Sequence, residues 1–246
     1  MNFWKTLILV FVLASGLSSF ATHNRAGEIT YRHLNGFTYE VTITTCTKTS
    51  VIADRQWLNV DWGDTPQGAL LDSLERVSIL EFNGLDAQQN SYVGTHTYPG
   101  PGIYSISMED PNRNESVTNI GNSIDMPFCV ISELIINPQA GHNNSVQLLN
   151  PPKEKACLNK LWIHNPGAFD PDGDILTYEI VPCLGAACEE IITWQNPGSP
   201  EWTGCNGSFT IDVNTGDLVW DCCSYAGEYN VAILITEWRN VDGQLL

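Results

Sequence analysis

The sequence predicts an all-β protein of the sandwich class, divided into two domains behind a cleaved export signal. Three observations carry that expectation. Apolar, β-branched and aromatic residues alternate with period two in short runs along most of the chain, as half-buried strands require. Clusters of Gly, Pro, Asn and Asp separate the runs, with no convincing long amphipathic helix between them. A Gly-x-Tyr strand opening follows a turn twice, at Tyr104 and at Tyr229, 125 residues apart. Such a tyrosine anchors a sandwich corner by hydrogen bonding, so two of them imply two domains.

The first residues read as a targeting segment. Lys5 supplies a positive start, Thr6 to Leu17 is an apolar run too short to span a bilayer, and Ser19-Phe20-Ala21 fits a small-x-small cleavage site. Residues 1–21 are therefore expected to be a signal peptide; a retained N-terminal anchor is the alternative. No other run approaches membrane-spanning length, so no transmembrane helix is expected in the mature chain. The formal charge is −17, and loss of residues 1–21 removes Lys5 and no acid, which brings it to −18. Such a surface repels nucleic acid and anionic lipid and attracts divalent cations. Nucleic-acid binding is excluded.

Strands follow in order. Glu28 to Tyr31, Phe37 to Thr44 and Leu58 to Trp62 alternate cleanly, with Asn35-Gly36 as a hairpin signal between the first two. Ile103 to Met108, Val130 to Ile136, Leu176 to Val181, Phe209 to Val213, Leu218 to Trp220 and Tyr229 to Ile235 continue the pattern. Pro, Gly and Asn clusters mark residues 138–150 as the linker, which gives domains at 22–137 and 151–246.

Eight cysteines remain after cleavage: Cys46, Cys129, Cys157, Cys183, Cys188, Cys205, Cys222 and Cys223. An even count in an exported chain reads as disulfides. Zinc is the rival, from the Cys183-x4-Cys188 spacing, but no second close pair of similar spacing follows. Cys222 and Cys223 would point to opposite faces of a strand and so find different partners.

Asp170-Pro171-Asp172-Gly173-Asp174 places three carboxylates within five residues, directly before a strand. Their repulsion must be compensated by water, by turn N–H groups or by a hard cation such as Ca²⁺. The EF-hand template fails, because Ile175 and Val181 stand where that loop needs Gly and Glu. Asp61 and Asp64 flank a turn after a strand and are expected to cap it. The five histidines are scattered, and no hydrolase or nucleotide-binding motif occurs, so an enzyme is not expected. Trp194 and Trp202 lie in the irregular stretch from Cys183 to Cys205. They either stack on sugar rings as a ligand site or plug the open end of a sandwich.

Val60-Asp61-Trp62-Gly63-Asp64, Gly94-Thr95-His96-Thr97-Tyr98 and Gly102-Ile103-Tyr104-Ser105-Ile106 resemble, in order, the three motifs of PKD domains, with Thr65 where that family usually has Gly. Ala168 to Tyr178, with Ser208 to Leu218, is similar to cadherin-like domains. The resemblance implies two tandem immunoglobulin-like sandwiches. It also implies calcium at the Asp170 and Asp172 pair, aided by linker acids that this chain replaces with Asn143 and Asn144; the spacing adds Asp174 to the expected calcium set. The ordered set from Ala21 to Asn240 further resembles the N-terminal region of Bacteroidetes surface proteins that end in a gliding-motility-associated sorting domain and leave by type IX secretion. That implies a Sec-exported surface or adhesion module, part of a larger protein, with a protein or glycan ligand at the cell surface or outside the cell. No sorting domain is visible, so the periplasm is the other location. The alternative function is a carbohydrate-binding accessory region of a secreted hydrolase.

Overall fold

A computed structural model describes residues 24–50, 55–82, 84–203, 207–241 and 244–245. The expected signal peptide and Cys205 lie outside these residues. Strands make up 51% of the structure, no α-helix is present among the described residues, and the sheets are antiparallel. Among the described residues no helix is long and apolar enough to cross a membrane.

The first lobe has seven strands: β1 (Asn24–Asn35), β2 (Thr38–Thr47), β3 (Trp57–Val60), β4 (Asp72–Phe82), β5 (Ala87–Thr97), β6 (Gly102–Asp110) and β7 (Phe128–Ile136). The first five form one sheet in the order β1-β2-β5-β4-β3, and β6 pairs with β7. Two backbone hydrogen bonds of 2.9 Å between Asp61 and Ser107 also tie the end of β3 to β6. Strand β4 has two partners along its length: Asp72 to Glu75 pair with β3, and Arg76 to Phe82 pair with β5, with a register shift between Arg76 and Ser78. The layers close over a core that includes Tyr31, Val41, Ile43, Val60, Ile106 and Leu134. These are the inward positions of the alternating runs. The β1–β2 hairpin turns at Gly36, whose φ of 53° is what a primed two-residue turn needs.

Strands β4 and β5 were not foreseen. Val77 to Glu81 are exposed on both faces of β4, and β5 buries the polar Asn90, so neither shows an apolar alternation.

The second lobe is built from shorter pieces: β8 (Gln147–Leu148), β9 (Trp162–His164), β10 (Ala168–Phe169), β11 (Ile175–Val181), β12 (Phe209–Ile211), β13 (Leu218–Trp220), β14 (Ala232–Trp238), β15 (Asn240–Val241) and β16 (Gln244–Leu245). They pair as β12-β13-β9, β11-β14, β8-β10 and β15-β16. Their core holds Trp202, Phe209, Leu218, Trp220 and Cys223, with Ile180 and Ile233 packed against it. Cys222 and Cys223 do not lie on a strand: Cys222 has φ 60° and the chain kinks there.

Both Gly-x-Tyr tyrosines behave alike. Tyr104 donates its hydroxyl to the Gly100 carbonyl at 2.9 Å, and Tyr229 donates to Tyr225 at 2.9 Å. Each bond reaches four residues back and pins a turn. This is the corner role foreseen for both.

Candidate functional site

The motifs of the first lobe assemble into one aromatic stack. Trp62 lies flat on His96 (4.9 Å between ring centres), His96 meets Tyr98 edge-on at 4.7 Å, and Tyr98 packs on Tyr104 at 4.3 Å. Asp61 accepts the Gly63 N–H at 3.0 Å and Asp64 pairs with the His96 ring at 3.0 Å, so both acids hold the turn. A Cβ on Gly63, whose φ is 85°, would stand 2.5 Å from the Ser105 nitrogen. Only glycine fits there.

The polar groups of the molecule converge at the joint between the lobes, where His142 to Val146 run along the outer edge of β1. Tyr31 accepts the Ser145 N–H at 3.0 Å and donates its own N–H to Ser145 Oγ at 2.7 Å, while the His33 N–H reaches Asn144 Oδ1 at 2.9 Å. Those contacts satisfy an edge that would otherwise invite another strand. The His33 and His142 rings stack at 3.7 Å. Beside them lies an open polar groove of about 290 Å³, lined by Thr30, Arg32, Glu40, Asn144 and Gln147.

The acidic turn faces this segment. Asp170 is buried, 6% exposed, and its Oδ1 accepts the N–H groups of Asp172 and Asp174 at 2.8 and 3.0 Å. Asp172 takes the Asn144 backbone N–H at 2.7 Å and its amide Nδ2 at 2.9 Å. From just beyond β14, Arg239 donates Nε to Asp174 at 3.0 Å and Nη2 to Asp174 and Asp172 at 2.7 and 3.1 Å. Its Nη1 also binds the His142 carbonyl at 2.6 Å, and Nη2 the Asn143 side-chain oxygen at 2.5 Å. Burial works against the guanidinium charge, but the two carboxylates outweigh it and hold its pKa above the ordinary value. Glu237 accepts from Val146 N–H at 2.6 Å and Asn143 Nδ2 at 2.7 Å, and burial raises its pKa. Arg239 thus pairs with two of the three aspartates for which the sequence suggested calcium. Among the described residues no group of three or more His, Cys, Asp or Glu side chains could hold a metal.

The other side of the joint is buried. Residues 111–127, between β6 and β7, pack Val117 and Ile120 against Cys183, Ile191 and Trp194 of the second lobe. Arg113, 2% exposed, donates to Asn230 Oδ1 at 2.7 Å and to the Leu184 and Pro127 carbonyls at 2.6 and 3.1 Å. Its desolvation lowers the guanidinium pKa. A Cys129–Cys188 disulfide fastens β7 to the second lobe, and Cys222 is also disulfide-bonded. Cys46, Cys157, Cys183 and Cys223 carry free thiols in this structure, so the full pairing expected of the cysteines is not what it holds.

Neither loop tryptophan is exposed. Trp202 is buried at 8% exposure in the second core, and half-buried Trp194 donates its indole N–H to the Asn230 carbonyl at 3.1 Å. Both plug the fold. Arg239 and Arg113 were missed as site residues, though a lone Arg in an acidic chain is the available signal for a neutraliser of clustered aspartates. No family model, no curated protein and no solved structure matches this chain.

Proposed function

We propose that this chain is an exported, non-enzymatic surface module, two immunoglobulin-like sandwiches of PKD-like and cadherin-like character locked into one rigid block for adhesion. The observation that carries this is the Cys129–Cys188 bridge. It joins the lobes covalently, and such a bond persists in oxidising compartments outside the cytosol. The sequence motifs support the same reading: the PKD-like set meets in the Trp62–His96–Tyr98–Tyr104 stack. Type IX export as part of a larger surface protein is the route that the sequence resemblance suggests. The joint's charged groups bind one another rather than surrounding a reactive centre, which favours a mechanical role. The burial of Trp202 and the half-buried, hydrogen-bonded position of Trp194 favour this reading over the glycan-binding alternative.

The test is expression with the native N-terminus in a bacterium with two membranes, followed by fractionation, N-terminal sequencing and non-reducing electrophoresis. The expected product begins near Thr22, leaves the cytoplasm and carries the Cys129–Cys188 bond. A full-length cytoplasmic product with both cysteines reduced would sink the proposal.

A further inference from the structure

The oxygens gathered around the Arg239 guanidinium come from two chain segments: both carboxylate oxygens of Asp174 and one of Asp172 from the acidic turn, and the Asn143 amide oxygen and the His142 carbonyl from the linker. Five hard oxygens of mixed carboxylate and carbonyl type are the kind of set Ca²⁺ takes. Here their charge is answered by the protein's own side chain. The planar fork suits the work, because it can bind a carboxylate side-on with two donors and still hold a backbone carbonyl with a third.

We propose that Arg239 is the resident cation of the joint, standing where a divalent ion would otherwise be required, so that the angle between the lobes is set without external Ca²⁺. This deepens the proposed role as a rigid surface module. Its test uses purified protein and does not depend on where the protein resides. An extracellular module whose stiffness comes from bound Ca²⁺ softens when the ion is removed; one stiffened by a covalently attached guanidinium does not. The single Arg also ties linker, acidic turn and the end of β14 together, so the joint closes only when all three are in place.

The test compares full-length protein and variants by thermal melting and by small-angle scattering, in chelator and in millimolar Ca²⁺ or Mg²⁺. The native chain is expected to show the same melting temperature and radius of gyration in all three. Arg239→Ala is expected to melt lower in chelator, by roughly 5 °C or more. Ca²⁺ should restore most of that loss in the range ~10⁻⁴–10⁻³ M, with Mg²⁺ much weaker. If Arg239→Ala does not fold, Arg239→Lys keeps the charge without the fork, and it should melt below the native chain while staying indifferent to Ca²⁺. A saturable Ca²⁺-specific rise in the native protein, abolished by Asp172→Asn, would overturn the proposal. So would an Arg239→Ala protein unchanged in chelator, or one that Ca²⁺ leaves as unstable as before. Failure of export with this pattern intact would sink the surface role and leave the joint standing.

Discussion

Cys129 of β7 and Cys188 of the second lobe are bonded to each other across the boundary between the lobes, at a sequence separation of 59. The bond closes a loop that contains the whole linker and the acidic turn. In the chain-entropy picture a loop of this length is worth about 4 kcal/mol. Cys188→Ser, or the double Cys129→Ser/Cys188→Ser change, should therefore lower the melting temperature by about 10 °C. Calorimetry of the single and double variants checks this, and a change under 2 °C would mean the remaining contacts already fix the lobes.

Glu28 on β1 gives the protein a pH dependence. Burial raises its pKa to about 7 from the usual 4.5, and its charge, after burial, helps raise the buried Cys46 thiol to about 12. The folded state keeps the Glu28 proton where the unfolded state has lost it. Its contribution is thus fully present below pH 4.5 and is lost as pH rises through about 7. The total is on the order of 3 kcal/mol. Glu28→Gln should flatten that part of the stability curve and stabilise the protein at pH 8. Urea titrations between pH 4 and 8 would show the idea wrong if native and variant curves stayed parallel.

Arg113 is a buried cation at the interface of the lobes, held by Asn230 and two carbonyls and lying 5.2 Å over the Phe128 ring. Arg113→Ala leaves those acceptors, at a buried site, without the donor they have in the native chain. The expected cost is about 3 kcal/mol or more. Arg113→Lys should recover only part, since one ammonium cannot span the same acceptors. Denaturant melts of the two variants separate the outcomes, and equal stability of Lys and native protein would refute the geometric argument.

Thiol reactivity follows burial. Cys157 is exposed, while Cys46, Cys183 and Cys223 are buried, and burial raises the Cys183 thiol to about 11. One of these four should react quickly with a thiol reagent in the native state, and Cys157→Ser should abolish that phase. The other three should react only after unfolding. Fast labelling of Cys183 would contradict the packing between the lobes.

Much of the fold was legible because its information is local. The alternation in β1, β2, β6, β7 and β11 reports which face meets the core, and Asn35-Gly36 and Asp61-Trp62-Gly63-Asp64 carry their turns in their own chemistry. Strand β4 was not, since Val77 to Glu81 have no buried face to announce, and β5 hides Asn90 behind a hydrogen bond to Thr47 Oγ1 at 2.9 Å. The site was half legible. Asp170, Asp172 and Asp174 stood out as charges in need of an answer.

The sequence by itself determined the all-β class, the paired tyrosine corners and the presence of an acidic turn, because period-two burial, backbone turns and local repulsion depend on neighbours within a few residues. Only the tertiary structure decided what answers that turn, which cysteine joins which, and that Trp202 faces inward. Arg239 stands 65 residues from Asp174 and Cys188 stands 59 from Cys129. Contacts at such separations are selected by how the lobes pack, where desolvation and shape rank partners that are equivalent on paper.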